Sequence, residues 1–177
     1  SNEVTTDFVL ADITVTDCSN AAFTGSSTVY GSTCTVSADS TPTVLVAAET
    51  FNDATGNDNS VSNTYTWTYD TTAPTMTITS NTIASGGSTT TAAVVLIYTS
   101  SEATANFATG DITDTGCTDD SFTTTSTTVY GSTCTVSADG AASIVVAANT
   151  FTDALDNDNS VSNTYSWTQD DTGPTMT

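Results

Sequence analysis

The chain has 177 residues, 20 of them Asp or Glu, and it contains no Lys, Arg or His, so its formal net charge at pH 7 is −20. Without basic side chains it cannot neutralise a nucleic-acid backbone, and an anionic membrane surface repels it. Mechanisms that need a histidine base, a lysine nucleophile or an arginine clamp are excluded as well. We therefore expect no nucleic-acid partner and no enzymatic activity. The sequence has no apolar run long enough to cross a bilayer, so we also expect no membrane insertion.

A repeat with a period of about 100 residues organises the sequence. The segment Val29–Asp39 returns unchanged as Val129–Asp139, and residues 60–68 return as residues 160–168 with one substitution. Such regular spacing is typical of extended proteins that are built from copies of one supersecondary unit.

The repeat divides the chain into three predicted segments. Residues 1–72 form a module that lacks its first strands, because nothing in it matches residues 75–99. Residues 73–172 form a complete module, and residues 173–177 begin the next repeat. Two explanations for the missing strands stay open. Either the chain is a window cut from a longer array, or a neighbouring molecule supplies the strands, as in strand-donation assemblies.

In chain order, short apolar runs separated by turn residues predict about seven strands in the complete module and no helix. Gly86-Gly87 marks a turn, and the continuous apolar run that follows it is typical of a central strand. Phe107 is expected to plug the core from a loop, and residues 123–128 are interpreted as a polar connection. The predicted strands run over residues 75–79, 92–99, 111–115, 130–136 and 143–149, and a closing strand carries Tyr165 and Trp167.

The closing strand of each module repeats an aromatic pattern. Val61, Tyr65 and Trp67 occupy alternate positions, so in an extended strand they share one face, which we assign to the core. The alternative for Trp67 and its counterpart Trp167 is a sugar-stacking platform. A hydrophobic fraction of 37% is enough for the thin core of an antiparallel sandwich.

The four cysteines fall two to a module. Cys18 and Cys34 are 16 residues apart, and Cys117 and Cys134 are 17 apart. No CxxC motif and no histidine accompany them, which argues against zinc. We predict one disulfide per module, with buried free thiols as the alternative. Disulfides of this kind indicate an oxidising, extracellular setting.

Three motifs carry a family resemblance: Tyr30–Asp39, Phe51–Asn59 (Phe-Asn-Asp-Ala-Thr-Gly-Asn-Asp-Asn) and Asp70–Pro74 (Asp-Thr-Thr-Ala-Pro). Together they resemble the bacterial Ig-like repeats of giant surface proteins, which are similar to repeats in large secreted proteins of microbial eukaryotes such as algae. The resemblance covers essentially the whole chain. It implies an all-β fold of tandem Ig-like antiparallel β-sandwich modules and an extracellular array that serves as stalk, adhesin or fibre.

Acidic loops suggest calcium as a cofactor, since calcium takes six to eight oxygen ligands. The loop over residues 53–59 has its partner in residues 153–159, where Asp156 replaces a glycine of the motif and is expected to change the bend. The resemblance implies further ligands near module junctions. The alternative is that Asp, Asn and Gly simply form turns. The tentative ligands are Asp53, Asn57, Asn59, Asp70, Glu102, Asp153, Asn157, Asn159 and Asp170.

Two other kinds of site are weaker candidates. Hydroxyl-rich secreted segments are frequent O-glycan acceptors, and the alternative is unmodified strand threonines. A glycosidase carboxylate pair, Glu102 with Asp111 or Asp114, is disfavoured because a small sandwich offers little concavity. The tentative O-glycan acceptors are Thr89, Thr90, Thr91, Thr123, Thr124 and Thr125.

The residues and the resemblance together predict a non-enzymatic structural repeat of a long extracellular filament, stalk or surface fibre. Its expected partners are neighbouring copies of the same repeat or protein. One alternative is an adhesin module that binds a surface glycan or protein, and another is an accessory domain of a secreted enzyme. Near-identical loops in the two copies favour the structural role, because ligand-binding modules usually diverge from their neighbours.

Overall fold

The computed structural model describes residues 1–176 and divides the chain into two compact units, Ser1–Thr71 (unit 1) and Thr72–Thr177 (unit 2). Thr177, the last residue of the predicted start of the next repeat, lies outside the described residues. No helix in the described part of the chain is long and apolar enough to cross a membrane.

Unit 1 contains five strands and a single 3-10 turn at Leu10–Asp12. One sheet has the order β1-β4-β5, and β2 and β3 form a separate antiparallel hairpin. The strands are β1 (Ile13–Thr16), β2 (Ser19–Ser26), β3 (Val29–Thr35), β4 (Thr43–Val46) and β5 (Tyr65–Thr66).

Unit 2 contains eight strands and a 3-10 turn at Thr109–Asp111. Two four-stranded sheets have the orders β10-β11-β8-β6 and β7-β13-β12-β9. The strands are β6 (Met76–Ser80), β7 (Ser88–Thr89), β8 (Ala93–Ser100), β9 (Ile112–Thr115), β10 (Thr118–Thr124), β11 (Val129–Thr135), β12 (Gly140–Val146) and β13 (Tyr165–Gln169).

The core of unit 2 lies between its two sheets, as the alternating sequence predicts. Along β8, Val94, Leu96 and Tyr98 are fully buried while Val95 is exposed. Burial of each large apolar side chain contributes about 1.5–3 kcal/mol to folding. The core is completed from the opposite sheet by Ala142, Ile144, Val146, Tyr165 and Trp167. The all-β sandwich prediction is therefore confirmed.

Three details of the predicted unit are wrong. Thr123 and Thr124 end a strand, β10, instead of lying in a polar connection, because threonine suits a half-exposed strand. The two-residue strand β7 pairs in parallel with β13, so the sandwich is not wholly antiparallel. Val161, like Val61, is about 60% exposed. The regular strand begins only at Tyr165, and Ser162 takes the inward position by accepting a hydrogen bond from the Val146 N–H at 2.9 Å.

Both predicted disulfides are present. Cys18 is bonded to Cys34 with a Cα–Cα distance of 5.6 Å, and Cys117 to Cys134 with 5.7 Å. Each bond joins the start of a hairpin to its second strand, so it fixes the hairpin that carries the repeated segment Val29–Asp39 or its copy. The alternative of free thiols is excluded, since no free cysteine exists in the described residues.

Candidate functional site

The acidic loop of unit 1 is built around the carboxylate of Asp53. Its Oδ1 accepts the N–H groups of Thr55 at 2.8 Å and Asn57 at 2.9 Å, and its Oδ2 accepts the Asn57 amide at 2.8 Å. Hydrogen bonds from the Asn57 backbone and side chain hold the pKa of Asp53 well below its usual range. The carboxylate thus organises a tight turn with neutral donors alone.

The loop of unit 2 repeats this arrangement. Asp153 Oδ1 accepts the N–H groups of Leu155 at 2.8 Å and Asn157 at 2.9 Å, and the Asn157 amide reaches Oδ2 at 2.8 Å. Burial opposes ionisation of Asp153, but the hydrogen bonds from Asn157 and Leu155 outweigh it and lower the pKa. The expected difference in bend is wrong: Asp156, with φ 64°, adopts the left-handed conformation of Gly56, with φ 88°.

The asparagines at the end of each loop close the base of that loop by hydrogen bonds. Asn159 is 1% exposed, and its Oδ1 accepts the N–H groups of Thr150 at 2.8 Å and Phe151 at 2.9 Å. Its Nδ2 donates to the carbonyl of Ala147 at 2.8 Å. Asn59 makes the corresponding bonds in unit 1. Because these amide oxygens already close the loop base, the geometry favours a structural role for both side chains.

The remaining calcium candidates are spread over both units. In unit 2, a carboxylate oxygen of Glu102 lies within 4.8 Å of one of Asp153, so these two acids are brought together. Asp170 is exposed and accepts the Thr172 N–H at 3.2 Å. In unit 1, Asp70 is half-buried and directly follows Tyr69, which pairs with Ser40. Calcium at any of these residues stays a prediction.

The other candidate residues occupy ordinary structural positions. Trp167 is 2% exposed, which supports the core assignment and contradicts a sugar-stacking platform there. Asp111 accepts the Ala108 N–H at 2.8 Å and Asp114 the Asp119 N–H at 3.2 Å, so both carboxylates serve local turns. Of the threonine candidates, Thr89 is half-buried, and the exposed ones are Thr90, Thr91, Thr123, Thr124 and Thr125.

One polar cluster was not foreseen from the sequence. In unit 2 the Ser132 hydroxyl donates to Asp119 Oδ1 at 2.6 Å and lies 2.9 Å from the Tyr98 hydroxyl. Asp119 Oδ2 is buried without a hydrogen-bond partner among the described residues. Burial raises the pKa of Asp119, although the Ser132 hydrogen bond opposes the shift. Only the pairing of β10 with β11 reveals this contact, because Asp119 and Ser132 are distant in sequence.

Comparison with known families supports the same architecture. The family model described as a bacterial Ig-like domain matches residues 70–168, which is more than half of the chain. No curated protein and no solved structure matches the chain. Domains of this family are generally non-catalytic structural or adhesion-type extracellular modules, and the two disulfides are compatible with an extracellular location. The chain belongs to the bacterial Ig-like domain family.

Proposed function

We propose that this chain is a stretch of a long extracellular filament, stalk or surface fibre in which Ig-like modules are stacked end to end. The observation that carries the proposal is the near-identity of the two copies in places that a ligand-binding module would vary. An equivalent aspartate organises the acidic loop in each unit, Asp53 in unit 1 and Asp153 in unit 2. The hairpin segment Val29–Asp39 is repeated without a change.

Composition supports the same role. A surface without Lys or Arg offers no cleavage site for trypsin-like proteases, which suits an exposed fibre. The disulfide in each hairpin makes the unit resist unfolding, because the cross-link restricts the unfolded chain. Hydroxyl groups of Ser and Thr keep the exterior soluble without salt bridges.

Electron microscopy of the native material tests the proposal. A fibre gives linear strings of equal beads, each the size of one sandwich. An adhesin instead gives one distinct head that carries the binding activity, and an enzyme accessory domain gives a single bead beside a larger catalytic body. Either of these two images contradicts the filament. Reduction of the disulfides serves as the control, because it loosens the beads without changing their number along the chain.

The second part of the proposal is a calcium site in unit 2. Glu102 and Asp153 hold two negative charges within 4.8 Å, in a chain that has no basic side chain to offset them. A bound calcium ion relieves this repulsion and stiffens the loop. We expect millimolar calcium to raise the melting temperature of the full chain, and the Glu102→Gln variant to lose that response. An equal response in the variant, or none in the parent, removes calcium from the proposal.

A further inference from the structure

The open face of unit 1 is the same surface that unit 2 covers with two of its own strands. In unit 2, β11 pairs along its whole length with β8, and β8 pairs with β6. Among the described residues of unit 1, the identical strand β3 pairs only with β2, and its other edge has no strand beside it. An edge of this kind is a template for a further strand.

Exposure of the equivalent side chains shows that a core is left uncovered there. Tyr65 is 64% exposed in unit 1, whereas its counterpart Tyr165 is 4% exposed in unit 2. Cys34 is half-buried, whereas Cys134, which pairs with Val94 of β8 in the same sheet, is fully buried. The side chains are the same in both units, so the difference comes from the segment that unit 1 lacks, whose counterpart in unit 2 forms β6, β7 and β8.

Polar groups around this face are arranged for the same strands. In unit 2 the Asn163 amide group bridges the N–H and C=O groups of Ile78 in β6, at 2.8 and 3.0 Å. Asn63 and Asn163 are both exposed, but the Asn63 amide group has no hydrogen-bond partner among residues 1–176. A cavity of about 520 Å³ in unit 1 is lined in part by Ser60. In unit 2 the backbone N–H of the counterpart, Ser160, donates to the carbonyl of Pro74, just before β6.

Ser1 lies at the open edge of unit 1, in the position that Ser100 occupies in unit 2. Its amino group donates to the carbonyl of Thr28 at 2.8 Å. In unit 2, the N–H of Ser100 donates to the carbonyl of Thr128 at the same distance, and Ser100 is the last residue of β8. Ser1 therefore occupies the place at which β8 ends.

We propose that the open face of unit 1 binds a strand pair of the sequence type of residues 76–99, in the arrangement that β6 and β8 have in unit 2. The side chains that fill the face are those that alternate inward in unit 2, chiefly Val94, Leu96 and Tyr98. A second copy of the chain is a poorer donor. Its own β6 and β8 are already buried in unit 2, and their release would open that core.

The experiment joins a copy of residues 73–99 directly in front of Ser1 of the full chain. Hydrogen exchange, measured by mass spectrometry after peptic digestion, compares β3 in the parent and in the fusion. We expect exchange in β3 to slow on the order of tenfold or more, towards the rate in β11. Protection of β11 in the same molecule shows that the fusion is folded.

A matched fusion carries Val94→Ser, Leu96→Ser and Tyr98→Ser in the added copy only. It keeps the length and the backbone donors but loses the inward apolar side chains, so β3 is expected to exchange as fast as in the parent. Equal exchange of β3 in the parent and the unmodified fusion overturns the proposal, and so does equal protection by the serine version. Concentration-dependent dimers of the parent with a protected β3 assign the face to a second copy and likewise overturn it.

Discussion

Units 1 and 2 share their hairpin, their acidic loop and their closing motif, yet they bury the shared side chains to different extents. Tyr165 and Trp167 belong to a closed core, whereas Tyr65 is mostly exposed and Trp67 is half-buried. Local features are the same in both units despite the difference in burial: both loops have the same hydrogen bonds, and both hairpins have a disulfide. Hydrogen bonds within a loop depend on nearby residues, whereas burial depends on strands from elsewhere in the fold.

The largest expected contrast comes from the paired tyrosines. Tyr165→Ala removes a buried ring and is expected to destabilise unit 2 by about 3–5 kcal/mol. Tyr65→Ala removes an exposed ring and is expected to cost less than about 1 kcal/mol. Urea unfolding followed by hydrogen exchange in each unit measures the two losses. Equal losses of stability would show that unit 1 buries Tyr65 in solution, and would contradict the difference in burial between the two units.

Removal of either disulfide is expected to destabilise the two units equally. The two bonds close loops of similar length, with separations of 16 and 17 residues, and most of their effect lies in the unfolded chain. Cys18→Ala with Cys34→Ala, and Cys117→Ala with Cys134→Ala, should each cost about 3 kcal/mol. Thermal unfolding of the two double variants tests this. A loss confined to unit 2 would indicate that packing around Cys134, not loop closure, gives the stability.

The loop-closing asparagines give an intermediate contrast. Asn159→Ala leaves the N–H groups of Thr150 and Phe151 without an acceptor in a buried site, at a cost of about 1–3 kcal/mol. Asn59→Ala removes the same bonds in unit 1, where water reaches the loop base more easily, so the loss should be smaller. The exchange rates of the four backbone amides report the effect directly. Similar rates in both variants would contradict it.

The pH dependence of unit 2 should carry the signature of Asp119. Burial raises its folded pKa above the ordinary value of 3.8, so the folded state binds the proton more tightly than the unfolded state. The associated stability is complete below about pH 3.8 and is lost as the pH rises through the folded pKa. Asp119→Asn should therefore stabilise unit 2 at neutral pH and much less at pH 3.

Unit 1 supplies the control for this pH effect. It carries Asn20 at the equivalent position, and both polar atoms of that side chain are buried without a hydrogen-bond partner among the described residues, so Asn20→Asp introduces a buried acid. The loss of stability relative to the parent, measured by urea unfolding from pH 3 to 8, should grow as the pH rises. A pH-independent gain for Asp119→Asn would assign the effect to packing.

The smallest effect is expected at the left-handed position of the loops. Asp156→Gly relieves a side chain held at φ 64° and should stabilise unit 2 by about 0.5 kcal/mol. Gly56→Asp should destabilise unit 1 by a similar amount, since an added Cβ meets no atom within 4 Å and only the backbone conformation matters. Melting temperatures of the two variants check the opposite signs.

Prediction from sequence worked where side chains alternate with the strand period. The inward side chains of the central strand β8, and Tyr130 and Cys134 of β11, have that pattern, and they are buried. Phe107, predicted to plug the core from a loop, is buried as well. Prediction failed where polar residues form strands, as in β10, whose only large apolar residue is Phe122.

Contacts set by strand pairing were also beyond the sequence. The bridge from Asn163 to Ile78 and the contact between Ser132 and Asp119 join residues that no local pattern relates. The acidic loops were foreseen as turns or as calcium sites, and their hydrogen bonds support the turn alternative for Asp53 and Asn57. Which atoms close a turn depends on backbone geometry that composition does not specify.

The hairpin disulfides have a mechanical consequence for a chain under tension. When unit 2 unfolds by pulling at its ends, force passes from Cys117 to Cys134 through the sulfur bridge, and the residues between them stay slack. Because an extended chain spans about 3.3–3.6 Å per residue, the bridge shortens the pulled-out length of the unit by roughly 50 Å. Reduction of the bond would release that hidden length, so the redox state of the surroundings sets how far each module yields.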